Sequence, residues 1–170
     1  MNQLIAESGS TKTLWIIAEK GKEVNRFTTS GINPFYTSAE EIFNTLENEI
    51  PEYASAVQVD EVNFYGAGCS LPERCSRVEL ALSRIWPNAK MTIQHDLLAA
   101  ARGALVRKPG VVAILGTGSN SAQYDGERIV KNVKSLGFPL GDEGSGGDIG
   151  RRFLKMFYYG LLNSELSAKV

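Results

Sequence analysis

The chain has 170 residues, 43% of them hydrophobic, enough apolar material for one well-packed domain or for one domain and part of another. Its 18 basic and 19 acidic residues nearly cancel and form no run of like charge, so the electrostatics exclude nucleic acid and an anionic membrane as expected partners and favour a small neutral or phosphorylated ligand. No stretch approaches the roughly 20 consecutive apolar residues of a membrane-spanning helix, and Met1-Asn2-Gln3 leads into a strand-like run with no basic region or cleavage site, which predicts a cytoplasmic protein.

In chain order, Leu4-Ile5-Ala6 and Leu14-Trp15-Ile16-Ile17 are short apolar runs on either side of a polar Gly/Ser/Thr turn, and Glu23 to Thr29 follows a second turn at Lys20-Gly21-Lys22. Together they predict a three-stranded antiparallel meander. Ser38 and Glu41 have the spacing of a capping box, and Ile42, Phe43, Leu46 and Ile50 follow at helical spacing until Pro51. Val57, Val59, Val62 and Phe64 suggest a strand. Ser70 to Glu73 has the pattern of a second capping box, ahead of a helical stripe of Val78, Leu82, Ile85 and Trp86 that Pro87 ends. Met91-Thr92-Ile93 is a short strand running into His95-Asp96, and the Ala- and Leu-rich Leu97 to Val106 reads as helix. A first domain over residues 1–108 is expected to close near Lys108-Pro109-Gly110.

Residues 109–170 begin the pattern again. Val111 to Leu115 is a strand ending in Gly116-Thr117-Gly118-Ser119-Asn120, and two more strand-like runs, Ser121 to Tyr124 and Arg128 to Val133, are joined by Asp125-Gly126. Residues 4–29 and 112–133 thus share one order of strand, Gly/Ser/Thr turn, strand, Gly turn and strand, an internal repeat of pattern rather than of identity. One more helix is expected over Ser145 to Tyr159, with Ile149, Phe153, Met156 and Phe157 inward. The fold class read from this order is α/β: a meander with parallel strands and helices, then the start of a second, similar domain that stops part-way.

Tight turns rich in Gly, Ser and Thr present backbone N–H and hydroxyl donors suited to phosphate oxygens. One such turn is commonplace; its duplication at the head of two domains predicts a triphosphate held between them. The chain has no GxxxxGK[ST] sequence, and neither Gly66-Ala67-Gly68 nor Gly116-Thr117-Gly118 continues into GxGxxG, which argues against a P-loop or a dinucleotide fold. Two cysteines, Cys69 and Cys75, and a single histidine, His95, are too few and too scattered for structural zinc or a Cys/His nucleophile. Both cysteines read as small packing residues. Asp96 opens a helix, where an aspartate commonly serves as N-cap.

Six motifs in order resemble the sugar kinases of the actin, hexokinase and heat-shock-protein superfamily (ASKHA), and within it the N-acetylglucosamine kinases and their BadF/BadG/BcrA/BcrD-type ATPase relatives. They are Glu7-Ser8-Gly9-Ser10-Thr11-Lys12, Thr29 to Phe35, Tyr65 to Cys69, Asp96 at the head of its helix, Leu115 to Asn120, and Gly141 to Gly146. The resemblance implies a ribonuclease H-like, actin-like ATPase domain followed by the first part of a second one. It implies an ATP- and Mg2+-dependent phosphotransferase with an alcohol acceptor. Gly9, Ser10, Thr11 and Lys12 would hold the phosphates from the first domain, and Gly116, Thr117 and Gly118 from the second. Asp96 would be the base that takes the proton of the attacking sugar hydroxyl. Asn33, Ser119, Asn120, Asp142 and Glu143 match positions that line the sugar pocket, and Glu7 the carboxylate that organises the metal's hydration shell.

The family usually carries aspartate where this chain has Glu7, and an extra methylene moves the carboxylate relative to a metal that demands regular octahedral geometry. The segment that binds adenosine in such enzymes lies beyond the motifs matched here, so the 170 residues alone are expected to be inactive. Two alternatives stand beside the kinase: an activator-type ATPase of the BadF/BadG group, disfavoured by the absence of any cysteine after Cys75, and a non-catalytic sugar sensor that kept the fold. A small-molecule sugar is the expected partner, and assembly as a homodimer is open to the chain.

Overall fold

The computed structural model describes residues 1–133 and 135–170. They form two compact units, Met1–Ala99 and Ala100–Val170.

Strands β1 (Asn2–Ser8), β2 (Lys12–Glu19) and β3 (Lys22–Ser30) form the expected antiparallel meander. Strands β4 (Glu61–Gly66) and β5 (Lys90–His95) extend it in parallel, giving the order β3-β2-β1-β4-β5. Period-2 alternation sets the core face: Leu4, Ala6 and Ser8 on β1, Thr13, Trp15 and Ile17 on β2, and Val62 and Phe64 on β4 are all buried. Helices α1 (Ala39–Glu49) and α3 (Pro72–Ile85) contribute Ile42, Leu46, Val78, Ala81 and Leu82 to the same core, and a short α2 (Glu52–Ser55) follows α1. Trp15 is its centre. Its ring stacks on Phe27 at 5.8 Å and meets Phe64 and Trp86 at 6.0 and 5.9 Å, while its indole N–H donates to Thr29 Oγ1 at 2.9 Å.

Helix α1 begins with the capping box expected at Ser38 and Glu41. Two local expectations are corrected. Helix α3 does not use Ser70 as a cap: Leu71 occupies the N-cap with no side-chain bond, and Pro72, whose fixed φ suits the first helical position, starts the helix one residue beyond the expected box. Val57 and Val59 precede β4 rather than belong to it, packing against the core from the connection after α2.

Helix α4 (Asp96–Leu105) follows β5 without a break, and the division between the compact units falls inside it. In the second unit, β6 (Gly110–Leu115), β7 (Ser119–Tyr124) and β8 (Ile129–Val133) make a separate antiparallel sheet with the strand order of the first meander. Its two faces differ. Val112, Ala122 and Tyr124 are buried, with the Tyr124 hydroxyl donating to the carbonyls of Val106 and Gly126, whereas Val111 is 73% and Leu115 69% exposed. Helix α5 (Gly146–Tyr158) is capped by Ser145, and a short α6 (Ser164–Ser167) follows. The stripe on α5 is placed as expected, but Ile149, Phe153 and Met156 are exposed and only Phe157 is half-buried. The correction is one of partners: among the described residues no element covers that stripe.

Candidate active site

Parallel register brings the first unit's candidate residues to one end of its sheet. Ser8 on β1 pairs with Gly66 on β4, and Gly66 with His95 on β5, so these three positions form one rung at the carboxyl ends of the parallel strands. The β1–β2 turn, the turn after β4 and the start of α4 all leave from this rung, where open α/β sheets place their ligands.

The β1–β2 turn is fixed from beneath by hydroxyls. Ser8 Oγ is fully buried, accepts from the Ile32 amide at 2.9 Å and lies 2.7 Å from Thr13 Oγ1, which donates to the Ser30 carbonyl at 3.0 Å. Gly9 N–H closes the turn on the Lys12 carbonyl, and the Gly31 amide donates to Thr11 O. A Cβ on Gly31 would stand 2.5 Å from the Gly9 carbonyl oxygen, so only glycine lets the strand end lie against the turn. Ser10, Thr11 and Lys12 are left on the exposed rim. Asn33 comes next to them: its Oδ1 accepts from the Phe35 amide at 3.0 Å and its amide group lies 3.5 Å from Ser10 Oγ. Gly68, at φ +83°, packs its backbone on the Asn33 side chain.

Asp96 is the first residue of α4 and Glu7 is within electrostatic reach of it. Partial desolvation raises the Glu7 carboxyl above its ordinary range, the Asp96 charge adds to the rise, and Lys12 opposes it. Cys69 is buried and its thiol is pushed up to about 12, chiefly by desolvation, so it stays protonated and packs in the core, as the sequence suggests.

The second unit holds its turn differently. The carbonyls of Gly116 and Thr117 accept from the amides of Gly146 and Gly147, at 2.8 and 3.3 Å, so the first turn of α5 grips the β6–β7 turn through backbone alone. Asp142 adds a carboxylate contact: Oδ1 accepts from the Ser119 amide at 3.2 Å and the Ser135 hydroxyl at 2.9 Å. Its backbone is left-handed, φ +64°, and a Cβ on Gly118 would lie 2.9 Å from Oδ2, so the approach depends on that glycine. Asp148, buried within α5, accepts from Gly144 N–H and from Arg151 and Arg152; the Arg151 and Arg152 bonds hold its carboxyl far below the usual range and tie down the Gly141–Ser145 loop.

Ser119, Asn120 and Glu143 line a cavity of about 400 Å3 with Ser121, Ser135 and the apolar Ala113, Leu115, Val133 and Leu136. The candidate residues thus gather in two sets: Glu7, Gly9–Lys12, Asn33 and Asp96 in the first unit, and Gly116–Asn120, Asp142 and Glu143 in the second. Ser8, Thr13, Ser135, Gly146 and Gly147, none of which the sequence reading singles out for a role, support them. Ser8 and Gly146 leave a trace in the sequence, inside the Glu7–Lys12 and Gly141–Gly146 motifs; Thr13, Ser135 and Gly147 leave none.

A model of the BadF/BadG/BcrA/BcrD ATPase family matches residues 7–161, from the first carboxylate to beyond α5. The chain belongs to that family. Among solved structures, a BadF-type chain of this kind is similar to a protein from Porphyromonas gingivalis provisionally assigned as an N-acetylglucosamine kinase, with 42% identity and a TM-score of 0.91 over 98% of this chain and 59% of that one. A protein from Chromobacterium violaceum with the same provisional assignment aligns at 19% identity and TM-score 0.76, over 98% of this chain and 61% of that one. A ROK hexokinase from Thermus thermophilus aligns at 15% identity and TM-score 0.58, over 93% of this chain and 64% of its own length. The last two share the fold, which is that of the actin-like ATPases. The chain therefore spans about three fifths of the first two solved relatives. No curated protein is significantly similar to it.

Among the described residues no three or more His, Cys, Asp or Glu side chains are arranged to hold a metal. One or two carboxylates suffice for Mg2+ when phosphates and water supply the remaining ligands. The Glu7 carboxyl, which feels the like charge of Asp96, is a donor whose repulsion a divalent cation would relieve, so the residues present fit.

Proposed function

We propose that the full-length protein is a cytoplasmic sugar kinase that transfers the γ-phosphoryl group of ATP to a hydroxyl of an amino sugar, N-acetylglucosamine foremost. The observation that carries this reading is the placement of Asp96 at the head of α4, on the same sheet end as the hydroxyl-rich β1–β2 turn and within electrostatic reach of Glu7. Family membership and the likeness to the P. gingivalis protein support it.

In the mechanism, the Asp96 carboxylate accepts the proton of the sugar hydroxyl as its oxygen attacks the γ-phosphorus, and the bond from phosphorus to the ADP oxygen breaks. Ser10, Thr11 and Lys12 in the first unit, and Thr117 and Gly118 in the second, donate to phosphate oxygens, while Gly9 and Gly116, whose N–H groups close their own turns, shape the two phosphate loops. Glu7 would hold the hydration shell of Mg2+, which supplies charge neutralisation when bound. Asn33, Ser119, Asn120 and Glu143 donate to and accept from the sugar's hydroxyl and acetamido groups. Asp142 joins them through Oδ2, since Oδ1 already has two donors. Polar groups placed this way discriminate between sugars where apolar contact cannot. In the domain assignment we propose, residues 1–108 are the N-terminal actin-like domain and 109–170 the opening of its C-terminal partner.

The test is calorimetric titration with N-acetylglucosamine, with glucose as control, followed by measurement of ADP release. Saturable heat selective for the acetylated sugar, with sugar-dependent ADP release by the full-length protein, is the expected result. ATP hydrolysis that no sugar stimulates would sink the kinase reading.

A further inference from the structure

His95 is the single histidine of the chain and stands immediately before Asp96. Its Nδ1 lies 2.7 Å from Asp96 Oδ1, with the two side chains 23% and 17% exposed. The Leu97 amide donates to the same Oδ1 at 2.8 Å and, over the longer 3.2 Å, to Nδ1. Two imidazole tautomers are conceivable, and the two contacts of Nδ1 favour different ones: the Leu97 amide, at 3.2 Å, asks Nδ1 to accept, whereas the Asp96 carboxylate asks it to donate over the shorter 2.7 Å and to a charged oxygen, which decides. With the proton on Nε2, the Nδ1 lone pair would face a carboxylate oxygen at hydrogen-bond distance, a repulsive contact; with the proton on Nδ1, the same contact is a charge-assisted hydrogen bond of ordinary length.

We infer that His95 is a positioning residue for Asp96: its Nδ1–H and the Leu97 amide both donate to Oδ1, fixing the carboxylate so that Oδ2 is the oxygen presented to the substrate hydroxyl. The inference rests on the kinase reading for its consequence but not for its geometry. A carboxylate at a helix head has no side chain behind it to set its χ2 angle, and a terminal sp3–sp2 torsion is broad. Two donors converging on one oxygen remove that freedom, and general-base transfer is sensitive to misplacement of the accepting atom. His95 can do this because it ends β5, paired with Gly66, while Asp96 begins α4. The direct passage from strand to helix turns the two adjacent side chains toward one another.

In the 170-residue chain the lone histidine makes the geometry readable by nitrogen-15 NMR, since its imidazole signals need no assignment. Wild-type protein is expected to give the Nδ1–H tautomer with a slowly exchanging ring proton, lost in Asp96→Ala. In the full-length enzyme, His95→Leu is expected to lower kcat by between about tenfold and a hundredfold with the sugar KM and the unfolding temperature little changed. His95→Asn, whose amide nitrogen stands close to the place of Nδ1, should recover most of that loss. An Nε2–H tautomer in the wild type overturns the inference whatever the activity. So does a full kcat in His95→Leu while Asp96→Asn is inactive, an outcome that leaves the kinase reading standing. If the wild type phosphorylates no sugar, the kinase reading falls, and the positioning role with it.

Discussion

The two glycine-rich turns answer one structural demand by opposite means. In the first unit, buried hydroxyls of Ser8 and Thr13 hold the Gly9–Lys12 turn from the core side, and that core is closed around Trp15. In the second, the Gly116–Gly118 turn hangs on backbone amides of Gly146 and Gly147, beside a sheet that leaves Val111 and Leu115 exposed. A turn held by side chains depends on the core behind it. One held by backbone tolerates changes of side chain nearby but needs glycine wherever two backbones meet.

The contrast can be pressed hardest at the chemistry. Asp96→Asn in the full-length protein is expected to cut phosphoryl transfer by about a hundredfold or more while sugar binding, followed by calorimetry, stays nearly unchanged. Retained turnover would place the base elsewhere. Stability comes next: Trp15→Ala should cost about 3–5 kcal/mol in denaturant unfolding, whereas Leu115→Ala on the exposed face should stay within about 0.5 kcal/mol. Equal losses would mean that the two sheets are covered alike in solution.

At the turns themselves, Ser8→Ala removes the acceptor of the Ile32 amide and one partner of Thr13, at a cost of about 1–3 kcal/mol. Gly147→Val places its Cβ 3.1 Å from the Thr117 carbonyl and should shift stability less while raising the KM for ATP several-fold. A reversed pattern in paired melting and kinetic measurements would break the distinction. The smallest effect is expected at Glu7. Its raised carboxyl means that ionisation is penalised in the folded state, a cost absent below the ordinary carboxylate pKa and fully present once pH exceeds the folded value. Glu7→Gln should therefore melt slightly higher at neutral pH, and the gain should vanish on acidification; a gain that persists at low pH would point to a cause other than charge.

Much of this architecture is legible in the sequence because it rests on local signals. Alternating apolar residues mark β1 to β3 and β6 to β8, and the Ser38–Glu41 box marks the start of α1. The misreadings arise where local and tertiary terms compete. Ser70 and Glu73 have cap spacing, but Pro72 at the first helical position decides where α3 begins. Ile149, Phe153 and Met156 form a stripe that says which face of α5 is apolar and cannot say what lies opposite. Within the site, Asp96 and the two turns are marked by residue type, whereas Ser8, Thr13 and Ser135 are ordinary residues until the register places them. Asp142 is singled out in the sequence by its motif; its bonds to Ser119 and Ser135 depend on a left-handed backbone that the sequence does not advertise.

On the proposed reading, the rung of Ser8, Gly66 and His95 ties catalysis to fidelity of folding. Side chains on a strand alternate, so a slip of β5 by a single residue would carry Gln94 to the rung, turn Met91 and Ile93 away from the core they pack against, and swing the head of α4 with them. An error large enough to misaim Asp96 in this way therefore strips apolar cover from the core as well, and the misassembled molecule is eliminated as an unstable one before it can persist as a poor enzyme.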